Sequence, residues 1–153
     1  MMALENLEIF EIASKYFLGQ MTDLKDLLVR KINKLDSMDW VYNKGSVKTC
    51  KADETGRKMR CKVGLKYGLK VELSIDEAEL IWEAFQKFFK ESYFEKIERN
   101  RNNEELGRYE FIARTPKGYE IECRIYLANE WNIPQISISG FVSSRYKNCD
   151  FSK

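Results

Sequence analysis

Residues 74–99 read SIDEAELIWEAFQKFFKESYFEKIER, and the fold is organised around them. Ser74 followed by Glu77 has the spacing of a capping box, in which a hydroxyl and a carboxylate each satisfy an orphan backbone amide. Asp76, Glu77 and Glu79 place negative charge at the positive end of the helix dipole. Apolar residues then recur at helical spacing through Ala78, Ile81, Trp82, Phe85, Phe88, Phe89, Tyr93, Phe94 and Ile97. The pattern predicts one amphipathic helix from Ser74 to Arg99, about 38 Å long at 1.5 Å per residue. So wide an aromatic face is expected to pack across a sheet, because burying that area is a main source of stability.

Outward from the helix, the N-terminal side predicts two further helices within 1–37. The first spans residues 3–18 and is stopped by Gly19. The second is capped by Thr22, with Leu24, Leu27, Leu28, Ile32 and Leu35 buried. Strands are expected at 40–42, 47–52, 57–65 and 69–73, with turns at Asn43-Lys44-Gly45, at residues 53–56 and at Lys66-Tyr67-Gly68.

Beyond the helix, residues 108–114 and 119–127 form the clearest hairpin. Thr115-Pro116-Lys117-Gly118 suits a type I turn ending in a left-handed glycine. That turn sets Arg114 opposite Glu120, Glu110 opposite Arg124, Phe111 opposite Cys123 and Tyr109 opposite Ile125. Residues 135–142 add a strand with Ile136, Ile138 and Val142 inward, and 143–153 are expected to be an irregular tail. The fold class is therefore α+β: two N-terminal helices, then two antiparallel β-meanders of about five to seven strands packed on one long central helix. The 153 residues are expected to form a single domain.

Composition excludes several chemistries. The chain has no histidine, so a Ser-His-Asp or Cys-His centre cannot be built. No phosphate-binding glycine loop is present. The four cysteines (Cys50, Cys61, Cys123 and Cys149) contain no C-x-x-C pair, so neither a metal nor another cofactor is expected. Glu122-Cys123-Arg124 beside Glu110 resembles the Glu-x-Lys strand of restriction-endonuclease-like nucleases. Arginine stands where that chemistry uses lysine, and its high pKa makes it a poor base. The expectation is a non-enzyme, with a degenerate metal-dependent nuclease or a structural homo-oligomer subunit as alternatives.

The charge is uneven. Residues 41–73 carry nine basic and three acidic groups, whereas 74–98 carry three and seven. Strand alternation gathers Lys48, Lys58, Arg60, Lys62 and Lys70 on an outer face, with Lys66 and Tyr67 at a turn on its rim. Such a strip is the electrostatic footprint of a phosphate-backbone binder. The expected partner is nucleic acid or a nucleoprotein complex. An inhibitor from a phage or mobile element, acting on a host defence complex, would have this character. A charge-solvated sheet face is the plain alternative.

No apolar run approaches ~18 residues, and the N-terminus lacks a basic leader region. The expectation is a cytoplasmic protein without membrane contact, in the host cytoplasm if viral. Reduced thiols follow from that placement, with Cys50 and Cys61 near each other on adjacent strands. A three-residue loop would set Cys61 opposite Thr49, and a two-residue loop would set it opposite Cys50.

Overall fold

A computed structural model describes residues 10–43, 49–52, 59–92, 94–116 and 118–146. Two helices, α1 (Phe10–Lys31) and α2 (Ile75–Lys90), lie on one face of a seven-stranded sheet. The strands are β1 (Val41–Asn43), β2 (Thr49–Ala52), β3 (Met59–Leu69), β4 (Lys96–Asn100), β5 (Arg108–Arg114), β6 (Tyr119–Tyr126) and β7 (Gln135–Tyr146). All pairings are antiparallel, in the order β1-β3-β7-β6-β5-β4. β2 joins β3 on the same edge as β1, because β7 occupies the other edge.

The start of α2 follows the sequence closely. The Glu77 amide donates to Ser74 Oγ at 3.1 Å, and the Ser74 amide donates to Glu77 Oε1 at 2.9 Å. Lys34 Nζ adds a contact to the same carboxylate at 2.8 Å. This hydrogen bond, then that from the Ser74 amide, holds the Glu77 carboxyl below its ordinary pKa.

The end of α2 does not follow the sequence. The helix stops at Lys90, and the segment read as its last turns is the edge strand β4. Ser92 closes the helix, its amide donating to the Phe89 carbonyl and its hydroxyl to that of Phe88. Phe94 then turns back beneath the helix end, its ring 4.6 Å from that of Phe89. Arg99 holds β4 to α2. Its guanidinium, with the side chain only 5% exposed, donates to both Glu79 oxygens at 2.8 and 2.6 Å and to both Glu104 oxygens at 2.7 and 2.6 Å. The bond from Arg99 keeps the Glu79 carboxyl below its ordinary pKa. A helical continuation would forfeit this cluster and the β4–β5 ladder.

The two expected N-terminal helices are one. α1 passes through Gly19 without a break. Phe17, Met21, Leu24 and Leu28 form a continuous buried stripe across that glycine. Tertiary burial of this stripe outweighs the roughly 1 kcal/mol that glycine costs inside a helix. The cover of the sheet is therefore shared: α1 crosses β7 and β3, and α2 lies over β5.

β3 is also longer than expected. Lys66-Tyr67-Gly68, read as a turn, lies within the strand and pairs with both β1 and β7. The chain leaves the sheet after Leu69, so 69–73 is not a strand. Two flanking partners supply backbone hydrogen bonds that override the local glycine signal. β7 continues to Tyr146, into the stretch expected to be an irregular tail. The β5–β6 hairpin keeps every predicted pairing, and Gly118 has a φ of 86°.

Alternation divides the sheet. Leu69, Tyr109, Phe111, Ala113, Tyr119, Ile121, Cys123, Ile125, Ile136, Ile138 and Val142 are buried beneath the helices. The intervening residues of β5, β6 and β7 face away from them.

Candidate nucleic-acid interface

The helix-free face of the sheet has two sectors of different chemistry. Over β4, β5 and β6 most of the charges pair with one another. Arg114 Nε meets Glu120 Oε1 at 2.6 Å and its Nη1 approaches Glu98 at 3.8 Å; Lys96 meets Glu98 at 3.1 Å. Arg124 lies opposite Glu110 in the register but closes on Glu122 of its own strand. The Glu120 partnership raises the pKa of Arg114 further. The nuclease-like residues Glu122 and Arg124 are thus engaged with each other.

The β3–β7 sector differs. Ser137, Ser139 and Phe141 share this face on β7, and Phe141 is 45% exposed. Lys66 is exposed and stands opposite Ser139, while Gly64 stands opposite Phe141. Glycine supplies no side chain to cover the ring from the β3 side. Neither Lys66 nor Lys70 makes an ion pair among the described residues. Arg60 and Lys62 occupy the same strand parity as Lys66, at positions opposite Lys51 and Thr49 of β2. The register between β3 and β7 shifts between Cys61 and Val63, where β7 carries the extra residue. Such a bulge increases local twist.

The sequence-derived residues do not all meet here. Lys48 and Lys58 lie outside the described residues. Lys70 is exposed just beyond β3, bordering a shallow depression with Lys66, Asp39, Val41 and Gln135. Tyr67 belongs to the other side of the sheet. Its hydroxyl is 3.3 Å from Thr22 Oγ1 on α1, and its ring lies 4.9 Å from Tyr42. Lys25 Nζ sits 5.5 Å from the Tyr67 ring and 5.3 Å from that of Trp40. Tyr67 therefore anchors the β1 edge to α1, and the aromatic on the cationic face is Phe141. Alternation already turned Phe141 outward; only the β3–β7 pairing brings it beside the lysines.

The acidic residues of the 74–98 segment are dispersed in the fold. Glu83 and Glu91 border a groove between α1 and α2 with Asp23, Asp26, Arg30 and Lys87, while Glu98 sits on β4. That groove is of mixed sign and lacks the single polarity of a phosphate mimic.

No family model and no curated protein matches the chain. Two solved structures share its fold. One is described as the putative lipoprotein LppA from Mycobacterium tuberculosis, with a TM-score of 0.62, 9% identity, and coverage of 98% of this chain and 85% of that one. The other is a DUF4853 family protein from Actinomyces odontolyticus, with a TM-score of 0.57, 9% identity, and coverage of 97% and 75%. The first likeness corrects the expected cytoplasmic placement, the host cytoplasm included: a chain of this fold is described as a lipoprotein. The expectation rested on charge near the N-terminus, while the fold buries the same core in any compartment.

Proposed function

We propose that this chain is a non-enzymatic protein that binds nucleic acid, free or within a nucleoprotein complex, across the β3–β7 sector of its helix-free sheet face. One observation carries the reading: this sector sets cations without described ion-pair partners beside an exposed aromatic ring, whereas Lys96, Arg114 and Arg124 of the neighbouring sector are each paired with a carboxylate. Phosphates would lie along Arg60, Lys62, Lys66 and Lys70, and a base would stack on Phe141. Stacking of this kind contributes about 1–3 kcal/mol per base and tolerates any sequence. Lysines on a strand position a backbone without reading base edges, so sequence preference is expected to be slight. The likeness to a described lipoprotein adds a second element to the proposal, a place outside the cytoplasm.

Titration with a fluorescent single-stranded oligonucleotide over a range of salt tests the reading. With about four cations on phosphates, log affinity is expected to fall against log salt with a slope near −3. Reversing Arg60, Lys62 and Lys66 to glutamate should flatten that slope and weaken binding. Equal binding by wild type and triple variant, or a loss that instead follows substitution of Glu83 and Glu91, would overturn it.

A further inference from the structure

The β2–β3 ladder places Cys50 directly opposite Cys61. Of the two registers open to the sequence, this is the one that makes the cysteines cross-strand neighbours. Facing residues of an antiparallel pair have Cα atoms about 4.5 Å apart in a non-hydrogen-bonded pair and about 5.5 Å apart in a hydrogen-bonded one. Both separations fall within the roughly 4.4–6.8 Å that a disulfide spans. The register therefore sets the two positions at a separation that a disulfide can span.

The other described cysteine is excluded from this chemistry. Cys123 is fully buried beneath the helices, and that burial, then the neighbouring Glu122 charge, pushes its thiol far above the ordinary range. Nucleophilic thiolate chemistry is thereby suppressed at Cys123.

We propose that Cys50 and Cys61 form a disulfide that clamps β2 onto β3. The electron acceptor is itself a disulfide, such as oxidised glutathione or the active-site pair of a thiol oxidase. One cysteine thiolate attacks a sulfur of the acceptor and releases one of its thiols. The second thiolate then displaces the other acceptor thiol from the mixed disulfide. Two protein thiols become one S–S bond while the acceptor is reduced to two thiols.

The structural consequence is specific. β2 is a four-residue strand whose described pairing is to β3 alone. A strand with one partner is held weakly by its ladder, and a covalent tie restricts its opening. The clamped pair also bears Lys51, Arg60 and Lys62, so the bond fixes the spacing of cations at this end of the sheet. The inference stands on register and does not require the nucleic-acid reading.

The test uses the full chain equilibrated in a glutathione buffer poised at about −180 to −210 mV, the range of an oxidising secretory compartment. Thiols are alkylated in denaturant and the chain is cut with trypsin without reductant. The expected result is a linked pair of peptides, Thr49–Lys51 joined to Cys61–Lys62, with Cys123 alkylated. Amide exchange over 49–52 should slow by about tenfold or more on oxidation, and the Cys50→Ser, Cys61→Ser double variant should show no such redox response. Four alkylated cysteines at this poise, or a bridge that instead contains Cys149, would overturn the proposal.

Discussion

Gly140→Ala is expected to destabilise the protein by about 3 kcal/mol, at the upper end of overpacking costs. Gly140 lies on the helix-covered side of β7, opposite Ile121 of β6. A methyl group there would sit 2.4 Å from the Glu120 carbonyl oxygen, 3.0 Å from Phe17 Cε1 and 3.2 Å from the Ile121 Cα. Phe17 has a soft way out through its rotamer. The carbonyl and Cα belong to a central strand pair and have none. The requirement is for space, since Gly140 does not adopt a positive φ. Gly19 provides the control. Its added Cβ meets nothing within 4 Å, so Gly19→Ala should stabilise α1 by roughly 1 kcal/mol. Urea denaturation of both variants measures the contrast. Equal effects of the two substitutions would contradict the close packing of α1 on β7.

Phe85→Ala should cost about 3–5 kcal/mol, as large-to-small aromatic changes in cores do. Phe85 is fully buried on α2, with ring centroids 4.8 Å from Phe89, 5.9 Å from Phe111 and 6.2 Å from Trp82. Removing it opens a cavity where α2 meets β5. The surrounding rings cannot collapse into that cavity without leaving their own contacts, so relaxation is limited. The urea midpoint is expected to fall with its slope unchanged. A loss below about 1 kcal/mol would mean that this helix face is not the seat of the core.

These positions separate what local sequence encodes from what it does not. The α2 cap was legible because Ser74 and Glu77 satisfy neighbouring amides within one turn. The β5–β6 register was legible because Pro116 and Gly118 fix the turn while opposite charges and apolar pairs agree with it. The end of α2 was not, since Phe94 and Ile97 fit a helical period as well as they fit the path into a strand. The decisive partner, Arg99 bridging Glu79 and Glu104, depends on a fold-back that spacing alone does not reveal.

The continuity of α1 was hidden by Gly19, a local breaker overruled by a buried stripe on both sides of it. The joining of β3 to β7 was hidden by distance along the chain, and the interface suffered most from that. Lys66, expected at a turn on the rim, joins the face itself because β3 runs on through it between β1 and β7. Phe141 was overlooked because its nearness to the cations exists only in the assembled sheet. Tyr67 was set on the wrong side because a strand residue was read as a turn.

Binding across the β3–β7 sector is the central proposal for this protein. Titrating uniformly ¹⁵N-labelled protein with a short oligothymidylate and following amide shifts tests that most directly. The expected result is a contiguous response along Lys62 to Lys66 and Ser137 to Phe141, with α2 residues such as Glu83 and Lys87 unmoved. Shifts centred on the groove between α1 and α2, or none with oligonucleotide in large excess, would contradict it.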